Sequence, residues 1–157
     1  MGTITGIFDQ TLVLEQTSVT RYVSLTGTAG GFRLPDPSSG SSDRHFEGIA
    51  FPGVTAVPAV IYYRTRHTGK PRFSVRLNEA SLTRYTFTDA DPAERCWHEI
   101  IPATLQNQPT IREQNNELIF GIGIENQSDS LVIGDVVIFY TSNELTIKVP
   151  IVITTRA

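Results

Sequence analysis

Alternation of apolar and polar residues with a period of two is the feature that most limits how this chain can fold. It is clearest at residues 72–77, where Phe73, Val75 and Leu77 are separated by single polar residues. Successive side chains of a strand point to opposite faces, so these three apolar residues are predicted to face a core. The helical period is nearly absent from the rest of the sequence. The chain is therefore predicted to be all-β.

The same pattern, with turn residues between the apolar runs, predicts about ten strands. One of these turns is predicted at Asn78, where the alternating strand 72–77 ends. The candidate ranges are 4–8, 11–16, 20–25, 46–50, 57–66, 72–77, 83–87, 97–101, 117–124, 131–141 and 144–154. Residues 102–106 are predicted to form one helical turn, and residues 34–44, rich in Ser and Pro, a mobile loop. Neither a repeat nor an interdomain linker is evident. We expect one domain, residues 1–157, folded as an antiparallel two-sheet β-sandwich with jelly-roll topology.

Composition narrows the function classes. The share of charged residues is 18%, below the usual quarter, and the net charge is only -3, so neither nucleic acid nor a membrane surface is an expected partner. Cys96 is the single cysteine, which excludes an internal disulfide. The start of the sequence lacks the pattern of a Sec signal peptide, and no apolar run has membrane-spanning length. These features predict a protein that is cytoplasmic or is released by a route other than Sec.

Two hairpins are predicted from local pattern. In the first, strands 135–141 and 144–149 meet across Ser142-Asn143. The first strand is predicted to be central, and the second to lie at an edge or to carry a bulge because of Pro150. In the second, a three-residue loop at 68–70 pairs Tyr63 with Val75. That register places one set of polar and aromatic side chains on a shared outer face: Tyr62, Arg64, Arg66, Arg72, Ser74 and Arg76.

No catalytic signature is present. The three histidines lie in different segments, and the sequence lacks HExxH, CxxC and Gly-x-Ser-x-Gly motifs. On a strand, Cys96 and His98 share a face without being placed for proton transfer, so Cys96 is interpreted as a core or edge residue. A glycosidase-like pair of Glu99 with Asp135 or Glu117 remains an alternative, although the chain is predicted not to be an enzyme.

Metal binding has one candidate segment. Asp89 and Asp91, with Glu94 and Asp43 as further donors, offer the hard oxygen ligands that calcium prefers. Asp-rich turns without metal are commoner, so neither a metal nor a cofactor is predicted.

Three stretches resemble the galactose-binding-like jelly-roll superfamily, which includes many carbohydrate-binding modules. They are Ser74-Val75-Arg76-Leu77-Asn78, Ile101-Pro102-Ala103-Thr104-Leu105 and Asn115-Asn116-Glu117-Leu118, and Gly134-Asp135-Val136-Val137 fits a late strand of the same pattern. The resemblance covers about half of the chain, from Val57 to Tyr140. Glu79, where glycine is usual, and a longer segment between Leu105 and Asn115 depart from it. The resemblance implies the fold and a general binding class, and no ligand residues.

The leading hypothesis is therefore a non-catalytic, lectin-like binding module, oligomeric, with a glycan or another polar or anionic ligand. Aromatic faces bind apolar sugar faces, and arginines bond hydroxyls or anions. The candidate ligand-binding residues are Tyr62, Arg64, Arg72, Arg76, Tyr85 and Trp97. The alternative is a structural, self-assembling subunit of a virion, filament or appendage, which the low charge and the apolar last strand favour.

Overall fold

The computed structural model describes residues 13–26 and 30–148. These residues form eleven strands and no helix. The strands are β1 (Val13–Ser24), β2 (Phe32–Leu34), β3 (Asp43–Ile49), β4 (Ala59–Thr68), β5 (Arg72–Leu77), β6 (Ala80–Thr86), β7 (Glu94–Ile101), β8 (Thr104–Leu105), β9 (Gln108–Pro109), β10 (Asn116–Gly123) and β11 (Ser130–Lys148). The predicted strand at 4–8 lies outside the described residues.

Two antiparallel sheets contain nearly all of these strands. Sheet A has the order β1-β11-β4-β7, with β2 also paired to β11, and sheet B has the order β3-β10-β5-β6. If only the eight longer strands are numbered along the chain, sheet A has the order 1-8-3-6 and sheet B has the order 2-7-4-5. That order is the winding of a jelly roll, so the predicted sandwich is confirmed.

The core lies between the inner faces of the two sheets. Strand β5 alternates between exposed and buried along its whole length, as its sequence pattern predicts. Its inward residue Val75 is fully buried, as are Ile61 and Tyr63 from sheet A and Phe120 from β10. Each such side chain contributes roughly 1.5–3 kcal/mol by leaving water. The ring of Phe120 packs edge-on against Tyr63, with ring centroids 5.4 Å apart, and so joins the two sheets.

The predicted hairpin between β4 and β5 is wrong. Strand β4 pairs with β7 and β11 in sheet A, whereas β5 pairs with β6 and β10 in sheet B. The chain crosses between the sheets after Gly69, whose φ is 73°. Tyr63 and Phe73 consequently meet across the core at 6.4 Å between ring centroids and are not strand neighbours. The alternation along each strand was predicted correctly, but not the partner of either strand.

The predicted hairpin at Ser142-Asn143 is also wrong, since β11 runs through both residues without a turn. Ser142 is buried, and its Oγ donates to the carbonyl oxygen of Pro52 at 2.9 Å. The Asn143 amide donates to the Gly53 carbonyl, also at 2.9 Å. Strand β1, predicted as two strands, likewise continues from Val13 to Ser24 and pairs with β11. The prediction that residues 135–141 form a central strand is confirmed, and the prediction for Pro150 falls outside the described residues.

A β-bulge in β11 changes which residues face the core. Asp135 has a φ of 52°, and the pairing with β4 shifts between Gly134 and Val137. Ile133 and Val136 are therefore both buried, although strict alternation would put them on opposite faces. Asp135 itself is exposed.

Residues 102–106 do not form the predicted helical turn. Strands β8 and β9 make a small hairpin in which Leu105 pairs with Gln108. The two loop residues, Gln106 and Asn107, have φ values of 50° and 64°, the left-handed conformation that a tight two-residue hairpin loop requires.

Asn78 and Asn116 connect two turns of sheet B. Asn78 follows β5 with a φ of 50°, so the predicted Asn turn is present. Its Nδ2 donates to Asn116 Oδ1 at 2.9 Å, and Asn116 is fully buried. Asn116 Nδ2 donates in turn to the carbonyl oxygens of Ile49 and Arg112, at 2.8 and 2.7 Å. These amides satisfy backbone groups that would otherwise be buried without partners.

Asp129 also connects two turns, at the other end of the molecule. Its carboxylate accepts hydrogen bonds from the backbone amides of Asn126, Glu125 and Lys70, at 3.1, 3.2 and 3.1 Å. The amide of Asn126 is the largest of the causes that hold the pKa of Asp129 below its usual value. The carboxylate thereby ties the turn after β10 to the turn after β4.

This lowered pKa predicts a contribution to acid sensitivity. Because the pKa is lower in the folded chain than in the unfolded one, the stabilisation is present above about pH 4 and is lost as pH falls through the folded-state value. We expect Asp129→Asn to flatten the decline of the unfolding free energy at acidic pH, as measured by urea denaturation at a series of pH values. A slope in this variant equal to that of the wild type would contradict the assignment.

Candidate functional site

The six predicted ligand-binding residues do not lie together. Tyr62 and Arg64 are on the outer face of sheet A, and Arg72 and Arg76 are on the outer face of sheet B. The outer faces of the two sheets lie on opposite sides of the sandwich, so the prediction of a single basic face is wrong. Two separate outer surfaces take its place.

On sheet A, the predicted residues are engaged with their neighbours. Arg64 pairs with Asp135, with 3.1 Å between Nη1 and Oδ2, and more distantly with Glu94. The Tyr62 hydroxyl contacts the Cys96 sulfur at 3.6 Å, and its ring lies 5.1 Å from that of His98. This group is an ion pair beside an aromatic contact, and its charged members Arg64, Glu94 and Asp135 line an open depression of about 300 Å³.

Trp97 belongs to the core. It is 6% exposed, its Nε1 donates to Thr65 Oγ1 at 2.8 Å, and its ring stacks on that of Tyr63. The Arg95 guanidinium covers the indole at 4.0 Å from the ring centroid, a cation–π contact. Trp97 therefore presents no free face to a ligand, contrary to the prediction.

Sheet B carries the more distinctive surface, an open cleft of about 440 Å³ across its outer face. Its floor is the bare backbone of Gly121 and Gly123 in β10. A Cβ on Gly121 would lie 2.9 Å from Asp43 Oδ1 and 3.2 Å from Ser74 Oγ, so a larger residue there would force these two side chains to move. The lining residues include Asp43, Arg72, Ser74, Arg84, Tyr85, Thr86, Gly121 and Gly123.

The walls of the cleft differ in charge. Strand register sets Asp43, Gly121, Ser74 and Arg84 in one row across the four strands. The β3 side of that row is therefore acidic and the β6 side basic. Arg72 continues the basic side and pairs with Glu125 at 3.8 Å.

Arg84 forms the rest of the basic side. Within the described part of the chain, Arg84 has no ion-pair partner within 4.0 Å. An exposed cation beside a concave floor is available to an anionic or hydroxyl-rich ligand. Arg76 lies outside the lining of the cleft, and its charge acts on the Glu79 carboxylate.

Tyr85 forms the end of the cleft. Its ring packs against Phe73 and Trp97, and its hydroxyl donates to Asp91 Oδ1 at 2.6 Å. That bond is the largest of the causes that lower the pKa of Asp91 and raise the pKa of Tyr85. The ring is thus held in a fixed orientation at the cleft.

Sequence reasoning found Arg72 and Tyr85 but missed the rest of the cleft. The missed signal was the pair of glycines at alternate positions of β10, Gly121 and Gly123. Alternate strand glycines lie on one face and mark a site where another group approaches the backbone. Asp43 and Arg84 were not predictable from sequence, because their positions depend on which strands pair.

One group of side chains has the composition of a metal site. Donor atoms of His45, Glu47 and Glu117 lie within 4.8 Å of one another beside the β3–β10 bulge. His45 Nδ1 is 2.7 Å from Glu117 Oε1, so the group is also explained as an exposed ion pair. The candidate calcium donors named from the sequence are separate: Asp89 pairs with Lys70 at 2.6 Å, and Asp91 bonds Tyr85 and Thr88.

The candidate catalytic groups are likewise dispersed. Cys96 is exposed on the edge strand β7, and His98 lies on the same face. Glu99 faces the opposite side of that strand, Asp135 lies on the outer face of sheet A, and Glu117 belongs to sheet B. The arrangement does not pair these carboxylates across a cleft.

The outer face of sheet A carries a row of apolar side chains. Strand register aligns Tyr22, Phe139, Val60 and Ile100 across its four strands, and all four are exposed. We call these four residues, Tyr22, Phe139, Val60 and Ile100, the apolar stripe. Leu14 and Leu145 are exposed on the same side of the β1–β11 ribbon, but the polar pairs Thr20–Thr141 and Ser18–Asn143 separate them from the stripe.

Comparison with known proteins gives no family for this chain. No protein-family model matches the sequence, and no curated protein matches it. Across residues 13–26 and 30–148, no helix has the length and hydrophobicity to span a membrane.

Proposed function

We propose that the protein is a non-catalytic binding module that takes an acidic carbohydrate in the cleft of sheet B. The observation that carries this proposal is the glycine floor between the acidic Asp43 side and the unpaired Arg84. Arg84 has no ion-pair partner among the described residues, and a side chain at Gly121 would crowd Asp43 and Ser74. A flat, charge-lined depression without enclosed walls suits the side of an oligosaccharide better than a small buried cofactor.

The groups in the cleft match the chemistry of such a ligand. Arg84 and Arg72 are placed to bind carboxylate or sulfate oxygens, and Asp43 is placed to accept hydrogen bonds from sugar hydroxyls. Tyr85 borders one end of the cleft, but its ring packs on Phe73 and Trp97 and lies under the Arg95 guanidinium, so it shapes the cleft and offers no free stacking face. The resemblance to carbohydrate-binding modules agrees with this class of ligand.

The test is binding of the purified protein to arrays of acidic and neutral glycans, followed by calorimetry on the strongest ligand. We expect acidic glycans to bind and Arg84→Ala to weaken that binding about tenfold or more, the effect of losing one charged hydrogen bond. Gly123→Val should also abolish binding. A Cβ there meets only ordinary contacts of 3.7 Å or more, so the variant should fold while filling the floor.

Arg66→Ala is the matched control, because Arg66 is an exposed arginine on the outer face of sheet A. It should bind as the wild type does. If Arg84→Ala and Arg66→Ala weakened binding equally, the attraction would be a general charge effect and the cleft would not be the site. The proposal would be refuted if the wild type bound no acidic glycan.

The structural-subunit alternative rests on a different observation, the apolar stripe. A self-assembling subunit of a particle or filament predicts extended assemblies in negative-stain microscopy. A binding module predicts small, closed species.

A further inference from the structure

The apolar stripe is a contiguous row of exposed apolar side chains. Ile100, Tyr22, Phe139 and Val60 are 72%, 68%, 42% and 37% exposed. Large aromatic side chains present roughly 150–250 Å² each when free, so the four residues together expose on the order of 400 Å². That value lies in the range of the largest apolar patches on monomers. It would supply about half of the roughly 800 Å² that each partner contributes to a standard interface, and a little over half of such an interface is apolar.

The chemistry of this face suits a second copy of the same chain. The row Tyr22–Phe139–Val60–Ile100 contains no charged side chain. The adjacent row consists of Ser24, Val137, Tyr62 and His98, of which Tyr62 and His98 are titratable. Two such faces can therefore meet without bringing like charges together. The net charge of -3 adds little general repulsion.

Polar groups border the stripe on both sides. Arg64 with Asp135 lies on one side, and the uncharged pair Thr20 and Thr141 lies on the other. An apolar centre with a polar rim is the usual anatomy of a protein interface. Sheets that pack face to face stand about 10 Å apart, and side chains of the size found in the stripe fill that space.

We propose that two copies pack through the apolar stripe of sheet A to form a symmetric dimer. A two-fold axis uses the same patch on both partners, so one self-complementary face is sufficient and the assembly closes at two. The two clefts of sheet B then face away from the interface. This inference does not depend on the identity of the ligand.

The experiment is sedimentation-velocity centrifugation of the full chain across a wide dilution series. We expect the wild type to be a dimer, and Ile100→Asp and Tyr22→Asp each to raise the dissociation constant at least tenfold, because each buries a carboxylate at the interface. Ile124→Asp is the matched control. It is the same change at an exposed isoleucine outside the stripe, and it should leave the dimer intact.

Circular dichroism establishes that each variant is folded. If the aspartate variants do not fold, the milder variants Ile100→Ser and Tyr22→Ser are used in their place. Each of these should also raise the dissociation constant of the dimer. A wild type that is monomeric throughout, a wild type that forms larger open assemblies, or equal weakening by Ile124→Asp would each overturn the proposal.

Discussion

Phe120→Ala is expected to lower the free energy of unfolding by about 4 kcal/mol, among the largest effects of any single truncation in this core. Phe120 is fully buried on β10, and its ring contacts Tyr63 from the opposite sheet and Phe32, with centroids 5.4 and 5.5 Å apart. Its removal leaves a cavity between the two sheets that neither backbone can close. Tm should fall by about 10 °C or more.

Urea denaturation followed by tryptophan fluorescence measures this loss, because Trp97 lies in the same core. Phe120→Leu is the graded control and should lose less than half as much, since it keeps most of the buried volume. A loss below about 1 kcal/mol for Phe120→Ala would mean that the sheets do not meet around this ring.

Asn116→Ala is expected to cost about 3 kcal/mol or more, although it removes only a small polar side chain. The Asn116 amide makes four hydrogen bonds, two of them to the Arg112 backbone and one each to Ile49 and Asn78. Because the site is fully buried, water cannot replace these bonds. Each buried polar group left without a partner costs about 1–3 kcal/mol.

The matched control is Asn126→Ala. Asn126 is exposed, and its side chain makes no hydrogen bond with any described residue. This variant should stay within about 0.5 kcal/mol of the wild type in the same denaturation experiment. If the two variants lost equal stability, the buried amide network would not hold the β5–β6 turn against the segment before β10.

The features predicted correctly from the sequence are those that depend on residues close together in the chain. The alternation in β5, the Asn78 turn and the central position of residues 135–141 were all found from sequence, because each depends on neighbouring residues. The jelly-roll sandwich followed from the number and spacing of such runs.

Strand partners were not predictable in the same way. An alternating strand has two faces whatever it pairs with, so nothing in residues 59–77 states that β4 and β5 belong to different sheets. The bulge at Asp135 and the straight passage through Ser142 depend on contacts with β4 and Pro52, distant in sequence. The candidate site depends on these pairings, and this is why sequence reasoning gathered arginines that the fold separates.

The order of strands in sheet A has a consequence for how the chain folds. Strand β11 is the last described strand, yet it lies at the centre and pairs with β1, β2 and β4. Tyr22 of β1 pairs with Phe139 of β11, so the contacts that complete the sheet close very long loops. Such topologies fold on the millisecond-to-second timescale. During synthesis, β1 and β4 cannot pair with β11 until β11 has been made, so sheet A is complete only when nearly the whole chain is available.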